Sequence, residues 1–418
     1  MRKALLAALV AVLLLVAVLS LRPWERGGKE EFSYTFTRDW LKKGNVWVFG
    51  QPPLEYLREV GATGTTWSVY FAGVNEDDRE YVNKLHRNGF VVCSGPPTVQ
   101  SNTTDNERLK EEACERDIYG RPLRFLGTEQ CAMCGNHPLW REFLMERFEE
   151  HVQGGVDAIL IDEIGDTGGF CDWCMMVFNL YLATKYTPEQ LSSLFGIENL
   201  LSFNYRLYLL EHGATDYWGD PNPLLQLEYL KAKHLARAGF IRELVIHTRR
   251  TAGREVLMSG NLYGLNPNQL IYLPYLDFVI FEMPITSPTG SFTLPLPGKH
   301  LTTYLLGEAA APDKPFTGFP DVFDLAELSE EEWWLWRCWL AEARSCGASF
   351  LLPYRAYTHG GGSYTLPADR ISPYTRFFAE HPQYYENLER VAKVAVLYDL
   401  HSTLVNRQTW RANLAWES

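Results

Sequence analysis

At 418 residues, with 46% hydrophobic and 22% charged positions, the chain has the make-up of a globular protein of one large or two ordinary domains. A net charge of −12 leaves no basic excess to displace the counterions of a phosphate backbone, which excludes a nucleic-acid partner. Aromatic residues reach 14%, with 13 Trp and 22 Tyr, enough for a large core or for ring-stacking sites.

The N-terminus reads as a targeting segment. Met1-Arg2-Lys3 precedes a run from Ala4 to Leu21 that is apolar except for Ser20, long enough to span a bilayer. No Ala-x-Ala cleavage site follows, and the chain continues Leu21-Arg22-Pro23-Trp24. An uncleaved membrane anchor at residues 1–22 is therefore favoured over a cleaved signal peptide. Either reading exports the rest, to the extracellular face of the membrane or into the medium. It also makes Asn102-Thr103-Thr104 a glycosylation candidate. Residues 23–32 read as a linker.

From residue 33 one pattern recurs: helix, glycine, short apolar strand. Glycine suits the position just past a helix end because it takes the left-handed conformation freely. The runs are continuously apolar, as when helices cover both faces of a sheet. Eight strands are expected, starting near Val46, Thr66, Phe90, Asp157, Glu255, Asp277, Leu301 and Ala348. The clearest helix runs from Pro138 to Gln153, with Trp140, Leu144, Phe148 and Val152 on one face. Eight strands alternating with helices predict a (β/α)8 TIM barrel over residues 33–390. An open doubly wound sheet is weakened because no glycine-rich loop follows the first strand. A further strand-like run, Val391–Leu400, marks residues 391–418 as a short C-terminal extension or the start of an accessory domain.

In such a barrel the C-terminal ends of the strands meet on one face. The expected strand four ends in Asp162-Glu163, strand six in Glu282 and strand seven in Glu308. Carboxylates there are costly to bury unpaired, and two of them are what hydrolysis of a glycosidic bond needs. The plainer alternative is pairing with arginines such as Arg355, or helix capping. Side chains alternate along a strand, so only one of Asp162 and Glu163 should face the axis unless the strand has already ended before them. Trp47, Trp67, Tyr70, Tyr263 and Tyr354 fall at or near the same end, as sugar-stacking platforms or as ordinary core. Asn261 is a hydroxyl-binding candidate, and His359–Tyr364 a loop able to close over a ligand. No cluster of histidines occupies the strand ends, which disfavours a metal-dependent hydrolase and calls for no catalytic cofactor.

Two Cys-x-x-Cys pairs, Cys131/Cys134 and Cys171/Cys174, flank strand four. Their spacing is that of a closed four-thiolate structural zinc site, and disulfides are the alternative in an exported protein. Cys338 and Cys346 read as core residues.

The stretch Cys134–Leu182, from "CGNHPLWREF" to "CDWCMMVFNLYL", resembles hypothetical glycoside hydrolase-like barrel families. It is also similar to the acid/base region of the thermophilic β-galactosidase family with a trimerisation domain, where a cysteine cluster downstream of strand four binds zinc. The β-galactosidase pattern implies Glu163 as acid/base and Glu308 as nucleophile, although Asp162 stands where that family has Asn. A fucosidase- and α-galactosidase-like pattern implies Asp162 as nucleophile and Glu282 as acid/base, and "VDAILIDE" fits it better. The resemblance implies a glycosidase acting on a carbohydrate; the N-terminal run adds the expectation that it is exported and held to the membrane, and a homo-oligomer is compatible with both. The alternatives are a carbohydrate-binding surface protein on the same barrel and a metal-dependent hydrolase.

Overall fold

The computed structural model describes residues 40–41, 43–69, 75–95, 99, 106–125, 130–164, 169–262, 265, 267–283, 298, 300–320, 334–357, 362–385 and 399. The expected anchor, the linker, the glycosylation candidate and all but residue 399 of the C-terminal extension lie outside these. Among the described residues no helix is long and apolar enough to cross a membrane. The chain divides into two compact units. One takes Phe36–Val99, Leu144–Gly165 and Leu244–Ser418, and the other includes Gln100–Phe143 and Asp166–Glu243.

The first unit is a closed parallel barrel of eight strands in sequence order: β1 (Val46–Phe49), β2 (Gly64–Thr66), β3 (Val91–Ser94), β4 (Ala158–Ile161), β5 (Leu257–Asn261), β6 (Phe278–Met283), β7 (Phe316–Pro320) and β8 (Ser349–Leu352). Closure is made by β1 on β8, with Val46 opposite Phe350 and Val48 opposite Leu352. Every residue of β1, β4 and β8 is buried, because a parallel strand under helices has no wet face. The (β/α)8 expectation is correct.

Seven strands fall where the apolar runs put them, and one does not. "LTTYLLGE" is helical, within Leu301–Ala310, and the seventh strand is the later Phe316–Pro320. Two threonines and a tyrosine give the helix a strand-like composition, but four-residue spacing buries Tyr304 while leaving Leu301 and Leu305 exposed. The true strand, "FTGFP", carries a glycine and a proline, both of which usually argue against a strand. Gly318 is required there: a Cβ would collide with the Tyr304 hydroxyl. The second strand is also shorter than "TTWSVYF" suggests, because Trp67 turns to φ +50° and ends it.

The second unit is helical, with Asp172–Lys185, Pro188–Phe195 and Tyr205–Glu211 among its elements. Thr187 and Gln190 form a reciprocal capping box at the start of the second of these, and Gly196 ends it in the left-handed region. Its core is aromatic. Tyr229 stacks on Phe170 at 5.6 Å and meets Tyr205 at 4.6 Å, while Phe178 packs edge-on to Tyr205. Cys114 and Cys131 form a disulfide in this unit.

Candidate functional site

Asp162 follows directly on β4, at the C-terminal mouth of the barrel. Three N–H groups converge on its carboxylate. The Trp67 indole donates to Oδ2 at 3.0 Å, and the Glu163 backbone and the Asn261 amide donate to Oδ1 at 2.8 and 2.9 Å. Three donors from three directions fix the orientation of this side chain.

Asn261 ends β5, and the same amide nitrogen donates to Glu282 Oε1 on β6 at 3.1 Å. Both carboxylates therefore accept from one nitrogen, so their bonded oxygens stand no more than about 6 Å apart. Barrel register explains the meeting: Ile161 pairs with Gly260, and Asn261 with Ile280, which shares a strand face with Glu282 two residues on. Asn261 is 6% exposed, and its Oδ1 has no donor among the described residues. Glu163 is half-buried at the same strand end.

An apolar wall lies beside Asp162. Trp67, Phe49 at the end of β1 and Phe319 on β7 are all buried, with ring centroids 5.4 to 6.0 Å apart. Trp67 and Glu163 both have φ +50°, and Arg355, past β8, has φ +48°. A left-handed tryptophan is a genuine backbone outlier, and such strain concentrates at sites that must hold a fixed geometry.

The other predicted site residues separate. Glu308 lies on the helix Leu301–Ala310, half-buried and away from any strand end, so its assignment to a strand tip is corrected. Trp47 is in the core at the opposite end of the barrel, 1% exposed, stacked on Phe278 and edge-on to Trp40. It fills the barrel floor. Tyr354 follows β8 and packs edge-on against Tyr56 at 5.0 Å. Tyr70 and Tyr263 lie outside the described residues, as do residues 359–361 of the loop after β8; Ala356–Tyr357 and Ser363–Tyr364 pair in a small antiparallel ladder. Phe49 and Phe319 escaped the sequence reading. Phe49 was hidden in an apolar run, and Phe319 in the unrecognised strand.

In the helical unit the sulfurs of Cys134, Cys171 and Cys174 lie 3.2, 3.4 and 3.5 Å apart. Cys131 does not join them, being bonded to Cys114, which corrects the expected four-thiolate set. A tetrahedral ion with bonds of about 2.3 Å to sulfur spaces its ligands by roughly 3.8 Å, so the trio fits a thiophilic metal such as zinc with slight expansion. Contacts with Cys134 and Cys174 hold the Cys171 thiol down, while Cys134 and Cys174 are both pushed up. The Asn136 amide donates to Cys174 Sγ at 3.4 Å, the type of outer contact that orients a metal ligand. Cys338 and Cys346 are half-buried rather than core.

No family model and no curated protein sequence matches the chain. Solved structures do. The β-galactosidase from Bacillus circulans sp. alkalophilus superposes with a TM-score of 0.63 at 16% identity, over 87% of this chain and 60% of that one. The β-galactosidase from the psychrophilic Marinomonas ef1 gives 0.61 at 14%, over 86% and 64%. The glycoside hydrolase domain of PgaB (BpsB) from Bordetella bronchiseptica gives 0.52 at 13%, over 80% and 97%. The chain thus spans about three fifths of the length of these β-galactosidases. At such identities the likeness establishes the fold alone, a (β/α)8 barrel.

Proposed function

We propose that the protein is a retaining glycosidase acting on a glycan outside the cell, with Asp162 as nucleophile and Glu282 as general acid/base. The observation that carries this is the single Asn261 amide shared between the two carboxylates. It keeps their oxygens within about 6 Å. Retaining pairs sit about 5–5.5 Å apart and inverting pairs about 6.5–9.5 Å, because inversion needs room for a water.

In this reading Glu282 protonates the departing glycosidic oxygen while Asp162 attacks the anomeric carbon. Glu282 then takes a proton from the water that releases the sugar. The convergent donors aim Asp162, and the unoccupied Oδ1 of Asn261 suits a sugar hydroxyl. Phe49, Trp67 and Phe319 keep the pair beside an apolar wall. Glu163 is the second candidate for the strand-four role. The N-terminal run at 1–22 would tether residues 33–390 to the outer face of the membrane.

The test is hydrolysis of a panel of aryl glycosides and polysaccharides, with the anomer of the first product read by proton NMR. Asp162→Asn should lose at least about 10³-fold in kcat. Glu282→Gln should lose about 10²–10⁴-fold, least with good leaving groups, as removal of a general acid does. An inverted first product, or an active Asp162→Asn beside an inactive Glu163→Gln, would overturn the assignment. A wild-type protein that binds glycans and cleaves none would leave the carbohydrate-binding alternative in its place.

A further inference from the structure

At the barrel mouth one polar atom is left over once the two carboxylates are satisfied. The Asn261 Nδ2 group carries two hydrogens, and it faces Asp162 Oδ1 at 2.9 Å and Glu282 Oε1 at 3.1 Å. The amide cannot be turned over, because its oxygen would then confront two acceptors at those distances. Oδ1 therefore points away from both carboxylates. It is buried, on a side chain only 6% exposed, and no donor reaches it among the described residues. A buried acceptor without a donor costs free energy, so this place suits a group that arrives with a hydrogen to give.

Its distance from the nucleophile identifies that group. Oδ1 and Nδ2 share a carbon, so Oδ1 lies within about 5 Å of the Asp162 oxygen that Nδ2 bonds. A sugar poised for attack holds its anomeric carbon about 3–3.5 Å from that carboxylate. Beside the anomeric carbon in the ring stand the ring oxygen and C2. The ring oxygen only accepts, and would repel Oδ1. The hydroxyl on C2 donates, and lies close enough to reach it.

We propose that Asn261 Oδ1 accepts a hydrogen bond from the 2-hydroxyl of the sugar being cleaved. The substrates are then glycosides with a free 2-hydroxyl, bound with the C2 edge of the ring toward β5 and the ring oxygen turned away. This rests on Asp162 as the nucleophile and deepens that reading. Positive charge gathers at the anomeric carbon in the transition state and makes the adjacent hydroxyl a stronger donor. The bond to Oδ1 therefore tightens as the barrier is climbed, and its worth appears in kcat.

The test compares substrates on the full chain. Both anomers of the 4-nitrophenyl galactoside, glucoside and fucoside are assayed, and the one cleaved is set against its 2-deoxy and 3-deoxy counterparts. Without enzyme the 2-deoxy compound reacts faster, since the 2-oxygen withdraws electrons from the forming cation. A slower enzymatic rate thus reports a lost contact. The 2-deoxy compound should lose about 10²–10⁴-fold in kcat/KM, chiefly in kcat, and the 3-deoxy compound less. In Asn261→Ala the parent glycoside is cleaved more slowly and the 2-deoxy penalty shrinks below about tenfold. A 2-deoxy compound within about tenfold of its parent on the wild type, or a penalty undiminished in Asn261→Ala, would overturn the assignment and leave the retaining glycosidase standing. A larger loss for the 3-deoxy compound would also overturn it, by moving the contact to another hydroxyl. Cleavage of none of these glycosides removes this inference together with the reading beneath it. The wild-type series decides the matter even if the variant fails to fold.

Discussion

Asn261 divides one amide between two carboxylates, which makes its chemistry rather than its shape the critical property. Asn261→Asp keeps the outline and replaces two N–H donors with acceptors, setting a third carboxylate against the pair. In the glycosidase reading, kcat should fall about 10²–10³-fold with KM little changed, the signature of a lost preorganised donor. Retained kcat would show that the amide is only structural. Asp162, Glu282 and Asn261 were legible in the sequence because each ends, or nearly ends, an apolar run that could only be a strand. Trp67 was legible as an aromatic near the mouth, but not as a hydrogen-bond donor to Asp162. That role depends on its left-handed backbone, which residue type does not announce.

At the scale of elements, β7 shows how local composition can mislead. Tyr304 projects from the preceding helix onto the strand and forbids any side chain at Gly318. Gly318→Ala should therefore cost about 1–3 kcal/mol of unfolding free energy, the usual range for overpacking. Adding Tyr304→Phe should recover part of that by removing the hydroxyl; urea unfolding of the single and double variants checks both. An additive double variant would mean that the clash is not with Tyr304. The apolar runs yield eight strands, the right total with one wrong member. Cysteine spacing failed for a related reason: Cys-x-x-Cys is a local signal, and Cys131 is claimed by Cys114, 17 residues before it.

At the scale of the molecule, stability has a built-in pH dependence. His151, on the helix Pro138–Gln153, is wholly buried, and burial with the nearby Arg147 charge lowers its pKa from 6.5 to about 3. The folded chain keeps this ring neutral, whereas the unfolded chain protonates it near the ordinary value. Stability is thus unaffected above about pH 6.5 and declines below it, by about 1.4 kcal/mol per pH unit, until the folded pKa is reached. Between pH 6.5 and 5 the wild type should lose about 2 kcal/mol more than His151→Phe, measured by urea unfolding. Equal losses would remove His151 from the account. The barrel's closure has a further consequence, in time rather than energy. The Asn45 backbone, at the threshold of β1, bonds Ser349 across 304 residues of sequence, and the ring is incomplete until both exist. At synthesis rates of about 5–20 residues per second, β1 waits on the order of 15–60 s for its last neighbour. Through that interval it presents an unpaired apolar edge, so the nascent chain needs shielding from its own kind long before it has any site to offer a ligand.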